Sequence, residues 1–160
     1  MTLVGGLYAG MAAPEGGAAK AEGRLLLHFD PITLEGAGAE GWGWNGSREI
    51  GSILLGARLY KGPTYFRLGF HHHHETAQQD FLDDYGGVLF GVGENINHRS
   101  GLQGGVGFAH EWGKTIPGDN FFERWSTGID LSVSWFPLSE GAPAYVGLEL
   151  NQALHVGKKR

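Results

Sequence analysis

The sequence predicts an all-β protein, an up-and-down antiparallel transmembrane β-barrel of eight strands or, at most, ten. Three observations carry that prediction. Period-two alternation recurs along the chain and is interrupted by Gly, Pro, Asn and Asp. In "RWSTGIDLSVSWFP", Trp125, Ile129, Leu131, Val133 and Trp135 alternate with Ser126, Gly128, Asp130, Ser132 and Ser134. The connections also differ in length, with short turns such as "DP" and "KGPT" set against longer polar stretches.

The strand at 122–136 decides which face meets which solvent. A soluble barrel covers its exterior with long polar side chains, but the polar face here is Ser, Gly, Asp and Ser, small enough to fill a narrow lumen. The apolar face therefore points into lipid, with Trp125 and Trp135 at its two ends. At roughly 3.3 Å per residue and a tilt near 40°, that stretch crosses about 27 Å, the height of a membrane barrel's apolar band.

The remaining elements follow in chain order. At 2–12, Leu3, Leu7 and Met11 oppose Val4 and Tyr8, so both faces are apolar. A strand at 23–30 leads through "DP" to one at 32–44, where Ile32, Leu34, Trp42 and Trp44 share a face. At 49–60, Ile53, Leu55, Ala57 and Leu59 face away from Ser52, Leu54, Gly56 and Arg58. At 64–74, Phe66, Leu68 and Phe70 alternate with Tyr65, Arg67, Gly69 and His71. At 84–95, Val88, Phe90 and Val92 alternate with Gly87, Leu89, Gly91 and Gly93. At 101–112, Val106 and Phe108 oppose Gly105, Gly107 and Ala109, and Trp112 ends the apolar side. At 144–155, Val146, Leu148 and Leu150 oppose Tyr145, Gly147 and Glu149. Nine candidates against the even strand number of bacterial barrels imply either a surplus candidate or a missing partner strand.

Composition narrows the function. The 160 residues are the size of one domain, 1–160. A net charge of −5 without a basic cluster beyond "KKR" excludes a nucleic-acid partner. The lack of cysteine excludes disulfides, thiolate metal sites and cysteine nucleophiles. No run is long and apolar enough for a membrane helix, and the N-terminal stretch lacks the pattern of a signal peptide.

Arg58, Arg67, Asp130, Glu149 and Glu35 are the charges expected in the lumen, with His28 and His71 as neighbours. Sealed in a narrow barrel they must pair, as a structural plug. Trp42, Trp44, Trp112, Trp125 and Trp135 are the expected aromatic girdle. In "FHHHHETAQQDFLDD", His71 and His73 share one face and His72 and His74 the other; His72, His74, Glu75, Asp80 or Asp83 converge on a metal only if the loop folds back, so no metal site and no cofactor is expected. Phe81, Phe121 and Phe122 are loop aromatics available to a partner.

"GLYAGM" (6–11), "FDPITLEGAG" (29–38), "DYGGVLFGVG" (84–93) and "WSTGIDLSVSWFP" (125–137) resemble the small outer-membrane β-barrel proteins of Gram-negative bacteria, the OmpA/OmpX-like group. The resemblance implies about eight antiparallel strands, short periplasmic turns, longer surface loops, residence in the bacterial outer membrane and roles from anchoring to adhesion, with no catalytic residues. Such proteins usually end on an aromatic residue, whereas this chain ends "LHVGKKR". The expected function is thus non-enzymatic, with the lipid bilayer (or detergent in vitro) as partner and the surface partner unnamed. Two alternatives stand beside it. His98 and Ser100, with Glu111 further on, resemble the His/Ser/Glu set of outer-membrane lipid A deacylases, although "NHRS" is expected in a periplasmic turn, far from Glu111. A soluble lipocalin-like barrel binding an apolar ligand would reverse the two faces.

Overall fold

In a computed structural model of the chain, the described residues are 2–13, 16–29, 31–44, 48–77, 96–112, 122–140 and 143–156. They form eight strands: β1 (Thr2–Ala13), β2 (Gly16–Phe29), β3 (Ile32–Gly43), β4 (Arg48–Lys61), β5 (Thr64–Ala77), β6 (Asn97–Trp112), β7 (Phe122–Trp135) and β8 (Ala144–Val156). Each pairs antiparallel with its sequence neighbour, and β8 returns to β1 through pairs such as Leu7↔Leu150, which closes the barrel and leaves no sheet edge.

One rim carries the start of β1, the end of β8, the turns at 30–31 and 62–63, and the connection 113–121; we call it the terminal rim. The opposite, loop rim carries the connections 14–15, 44–47, 78–96 and 136–143. Gly62 has φ +63 in the β4–β5 turn, a left-handed conformation that glycine adopts without steric penalty.

Two strand expectations change, and a third falls outside the described residues. Residues 16–22, read as loop, extend β2 by half its length and pair with β1, as in Lys20↔Tyr8. "NHRS" is the first part of β6 at the loop rim and not a periplasmic turn. The candidate at 84–95 lies outside the described residues; β5 pairs directly with β6 and each has its other edge filled, so the closed barrel has no place for a ninth strand between them.

The pleat sorts side chains inside and out as the alternation requires. Phe66 and Leu68 are each 67% exposed, while Arg58 and Arg67 next to them are 3% exposed. Leu25, Leu27, Leu34, Leu55, Phe70, Leu102, Val106, Leu131 and Leu148 continue the exposed apolar band around the barrel. The interior is polar apart from small patches such as Leu26 with Ala153. That distribution overturns the soluble lipocalin-like alternative, because an apolar interior is what such a barrel needs to hold an apolar ligand.

Candidate functional site

Arg24 occupies the centre of the lumen. It lies on the inner face of β2, and Nη2 donates to Glu149 Oε2 of β8 at 2.7 Å and to Glu22. Its Nη1 is 3.7 Å from Glu35 Oε2 and 3.6 Å from Asp130 Oδ2. Arg58 Nε donates to Glu35 Oε2 at 2.7 Å, and Arg67 reaches Glu35 at 3.7 Å and Glu149 at 3.6 Å. Asp130 also accepts from Tyr65 Oη and, at 2.7 Å, from Asn151 Nδ2, while the Arg58 guanidinium stacks 4.5 Å above the Tyr65 ring. All five residues expected in the lumen charge network therefore come within one connected set of ion pairs, in which three guanidinium groups face four carboxylates.

The lumen geometry requires a small residue at one point of this set. A Cβ at Gly107 of β6 would collide with the Asp130 carboxylate and the Tyr65 ring, so glycine makes room for that hydrogen bond. His28, expected as a neighbour, instead sits at the terminal rim, with Nδ1 2.6 Å from Thr33 Oγ1.

Towards the loop rim the lumen fill changes character. His71 Nδ1 is 2.8 Å from Ser134 Oγ, which also accepts from Gln103 Nε2 at 2.9 Å. Lys20 Nζ is 3.3 Å from both Ser52 Oγ and His73 Nδ1. Glu75 lies 3.5 Å from Arg99 Nη1 and 3.7 Å from His73 Nε2. Phe136, immediately after β7, turns inward and is fully buried against His71, His73 and Tyr145.

The tryptophans occupy both rims on the outer face. Trp42, Trp44 and Trp135 lie towards the loop rim and are about half exposed or more. Trp112 and Trp125 pair across β6 and β7 at the terminal rim, with rings 5.6 Å apart and nearly parallel. Trp112 Nε1 donates to Thr127 Oγ1 at 3.0 Å.

Of the deacylase-like set, Ser100 meets His72 rather than His98: Ser100 Oγ is 2.6 Å from His72 Nδ1, across the register pair His72↔Ser100. Glu111 lies at the opposite rim, near the far end of β6. Glu75 faces the lumen and does not join His72 and His74, which are on the outer face; Asp80, Asp83, Phe81 and Phe121 lie outside the described residues, and Phe122 opens β7.

Among the residues that escaped the sequence reading are Arg24, Glu22 and Phe136. Arg24 belongs to an inner-face series of Ala18, Lys20, Glu22 and Arg24 whose outer-face partners are Gly17, Ala19, Ala21 and Gly23. Small residues on the outer face give no apolar signal, so the first half of β2 did not read as strand and Arg24 did not read as central.

No family model matches the sequence. No curated protein matches it either. The fold has counterparts among solved structures. Neisserial surface protein A aligns over 96% of this chain and 94% of its own at a TM-score of 0.60 with 9% identity. The N-terminal β-barrel domain of Pseudomonas aeruginosa OprF aligns over 95% of this chain and 96% of its own at 0.53 with 12% identity. The fold is thus that of the small bacterial outer-membrane β-barrels.

Proposed function

We propose that this chain is a bacterial outer-membrane protein with a non-enzymatic role, in which a lumen closed by ion pairs makes the barrel a rigid anchor for the connections at the loop rim. The observation that carries this reading is the inverted distribution of side chains. Apolar groups cover the outside, while Arg24, Arg58, Arg67, Glu35, Asp130 and Glu149 fill the inside with almost no solvent exposure. Side chains with so little exposed surface support a lumen closed to water and ions, since barrels of eight strands have interior space for side chains and little else. Trp42, Trp44 and Trp135 at one rim and Trp112 and Trp125 at the other serve as the interfacial girdle that fixes the barrel's height in the bilayer. The loop rim, where the chain leaves β3, β5 and β7, is the end assigned to the exterior and to a partner.

Planar-bilayer recording tests the closed lumen, and fractionation of cells expressing the chain behind an added export signal tests location. The expected result is an outer-membrane protein of heat-modifiable gel mobility without steady conductance. Stable single-channel steps from the purified barrel would overturn the plug.

One observation favours a second reading, an outer-membrane enzyme acting on lipid. The Ser100 hydroxyl and the His72 imidazole form a hydrogen-bonded nucleophile–base pair at 2.6 Å on the lipid-facing surface. His98 Nδ1, 3.5 Å from His72 Nε2, would take the orienting position in place of Glu111. Lipid A deacylation lost in both Ser100→Ala and His72→Ala is required to sustain it.

A further inference from the structure

We propose that His72, His74 and His98 form a binding site for a borderline divalent cation of the Zn²⁺ class on the outer face of the barrel at the loop rim. The topology assembles this site from two distant pieces of sequence. His72 and His74, two apart on β5, project from the same face, and the β5–β6 register sets His98 directly opposite His74. One ring nitrogen from each of the three lies within 4.8 Å of the others.

The spacing suits a tetrahedral ion. Zn–N bonds of about 2.0–2.1 Å at tetrahedral angles place ligand nitrogens roughly 3.4 Å apart. His98 Nδ1 and His72 Nε2 are 3.5 Å apart, and the ring centroids of His74 lie 4.4 Å from His72 and 4.9 Å from His98. Small ring rotations bring all three onto one ion.

The surroundings hold the first ligand in position. Ser100 Oγ engages His72 Nδ1 at 2.6 Å, which fixes the ring and directs Nε2 to the site, as hydrogen bonds to the second ring nitrogen do for metal-bound histidines. Phe70 stacks parallel to the His72 ring at 6.3 Å. On the other side, Gly51 of β4 is the register partner of His74.

The donor set selects the ion class. Three neutral imidazoles without an oxygen ligand suit Zn²⁺, Cu²⁺ or Ni²⁺ and disfavour Mg²⁺ and Ca²⁺, which need oxygen donors. Three protein ligands leave one position open, as in catalytic zinc sites; His74 is fully buried and His72 half-buried, and water reaches the site from the side of the exposed His98. The site requires His72 protonated at Nδ1 and donating to Ser100, the tautomer opposite to the one a serine nucleophile needs. A bound ion and the nucleophile–base pair therefore exclude each other.

The test is Zn²⁺ titration by calorimetry, with Co²⁺ absorption as a geometric probe, on the full chain folded in detergent micelles. One equivalent of Zn²⁺ and a tetrahedral Co²⁺ spectrum are expected. His98→Ala and His98→Gln should each weaken binding at least about 10²-fold, and Ser100→Ala by about 10–100-fold. His71→Ala and His73→Ala, on the inner face, should change it less than about threefold. Four consecutive histidines could chelate an ion without any fold, and His98 separates the two cases because only the folded register brings it to His72. Equal affinity in the His98 variants or in the urea-unfolded chain would overturn the proposal, as would loss of binding in His71→Ala alone or no binding at all.

Discussion

Replacing Arg24 by methionine keeps an unbranched, flexible stem but removes the guanidinium and its charge, leaving two guanidinium groups against four carboxylates in the lumen. Glu149 loses a 2.7 Å hydrogen bond, Glu22 loses its direct contact, and Glu35 and Asp130 lose a cation 3.7 and 3.6 Å away. The side chains of Arg24 and Glu149 are 1% and 2% exposed, so solvent offers the stranded carboxylates no relief. Breaking a buried pair by removing one partner costs about 3–5 kcal/mol, and the expected loss falls in that range. The assay is equilibrium unfolding in micelles followed by tryptophan fluorescence, with the salt concentration varied. Because the pairs are buried, the difference from wild type should barely change with salt. Adding Glu149→Gln should recover part of the loss, a coupling of about 0.5–3 kcal/mol between contacting residues. A destabilisation below about 1 kcal/mol, or strict additivity of the two substitutions, would refute the claim that Arg24 is the hub of a sealed network.

Further outcomes follow from the same geometry. Gly107→Val, which forces a side chain onto Asp130 and Tyr65, should destabilise by about 1–3 kcal/mol in the same unfolding assay. Leu131→Arg, at the centre of the lipid face of β7, should cost about 2–4 kcal/mol in lipid vesicles, whereas Trp112→Arg at the terminal rim should cost about 0–1 kcal/mol for the charge itself. Phe136→Ala empties a fully buried position between His71, His73 and Tyr145. It should lower stability by about 3–5 kcal/mol while conductance stays absent, because the ion pairs below still close the lumen.

The inner and outer faces of β3, β4, β5, β7 and β8 were legible because their outer face carries Leu, Ile, Val, Phe and Trp and their inner face is mostly small, polar or charged, Ile50 and Leu54 of β4 being apolar exceptions. β2 was half hidden because its first seven residues present glycine and alanine to the outside, which alternates with nothing apolar. The direction of β6 was misread for a different reason. Reading "NHRS" as a turn between two strands, where it is the start of β6 paired with β5, reversed every later strand and put His98 and Ser100 at the wrong rim. A parity error of this kind leaves each strand's own pattern intact, so periodicity gives no warning of it.

The sequence by itself determined which residues point out of the barrel, since the two-residue pleat is a local property and hydrophobicity reports it directly. It also determined that charges on the opposite face had to pair, from the cost of burying them alone. The tertiary structure decided which charges pair and which histidines meet. Arg24 lies 125 residues from Glu149, and His98 reaches His74 only through the β5–β6 register. Register and closure are non-local: they depend on every strand lining up at once, and a shift of two residues would preserve all the inside–outside signals while separating every one of these partners.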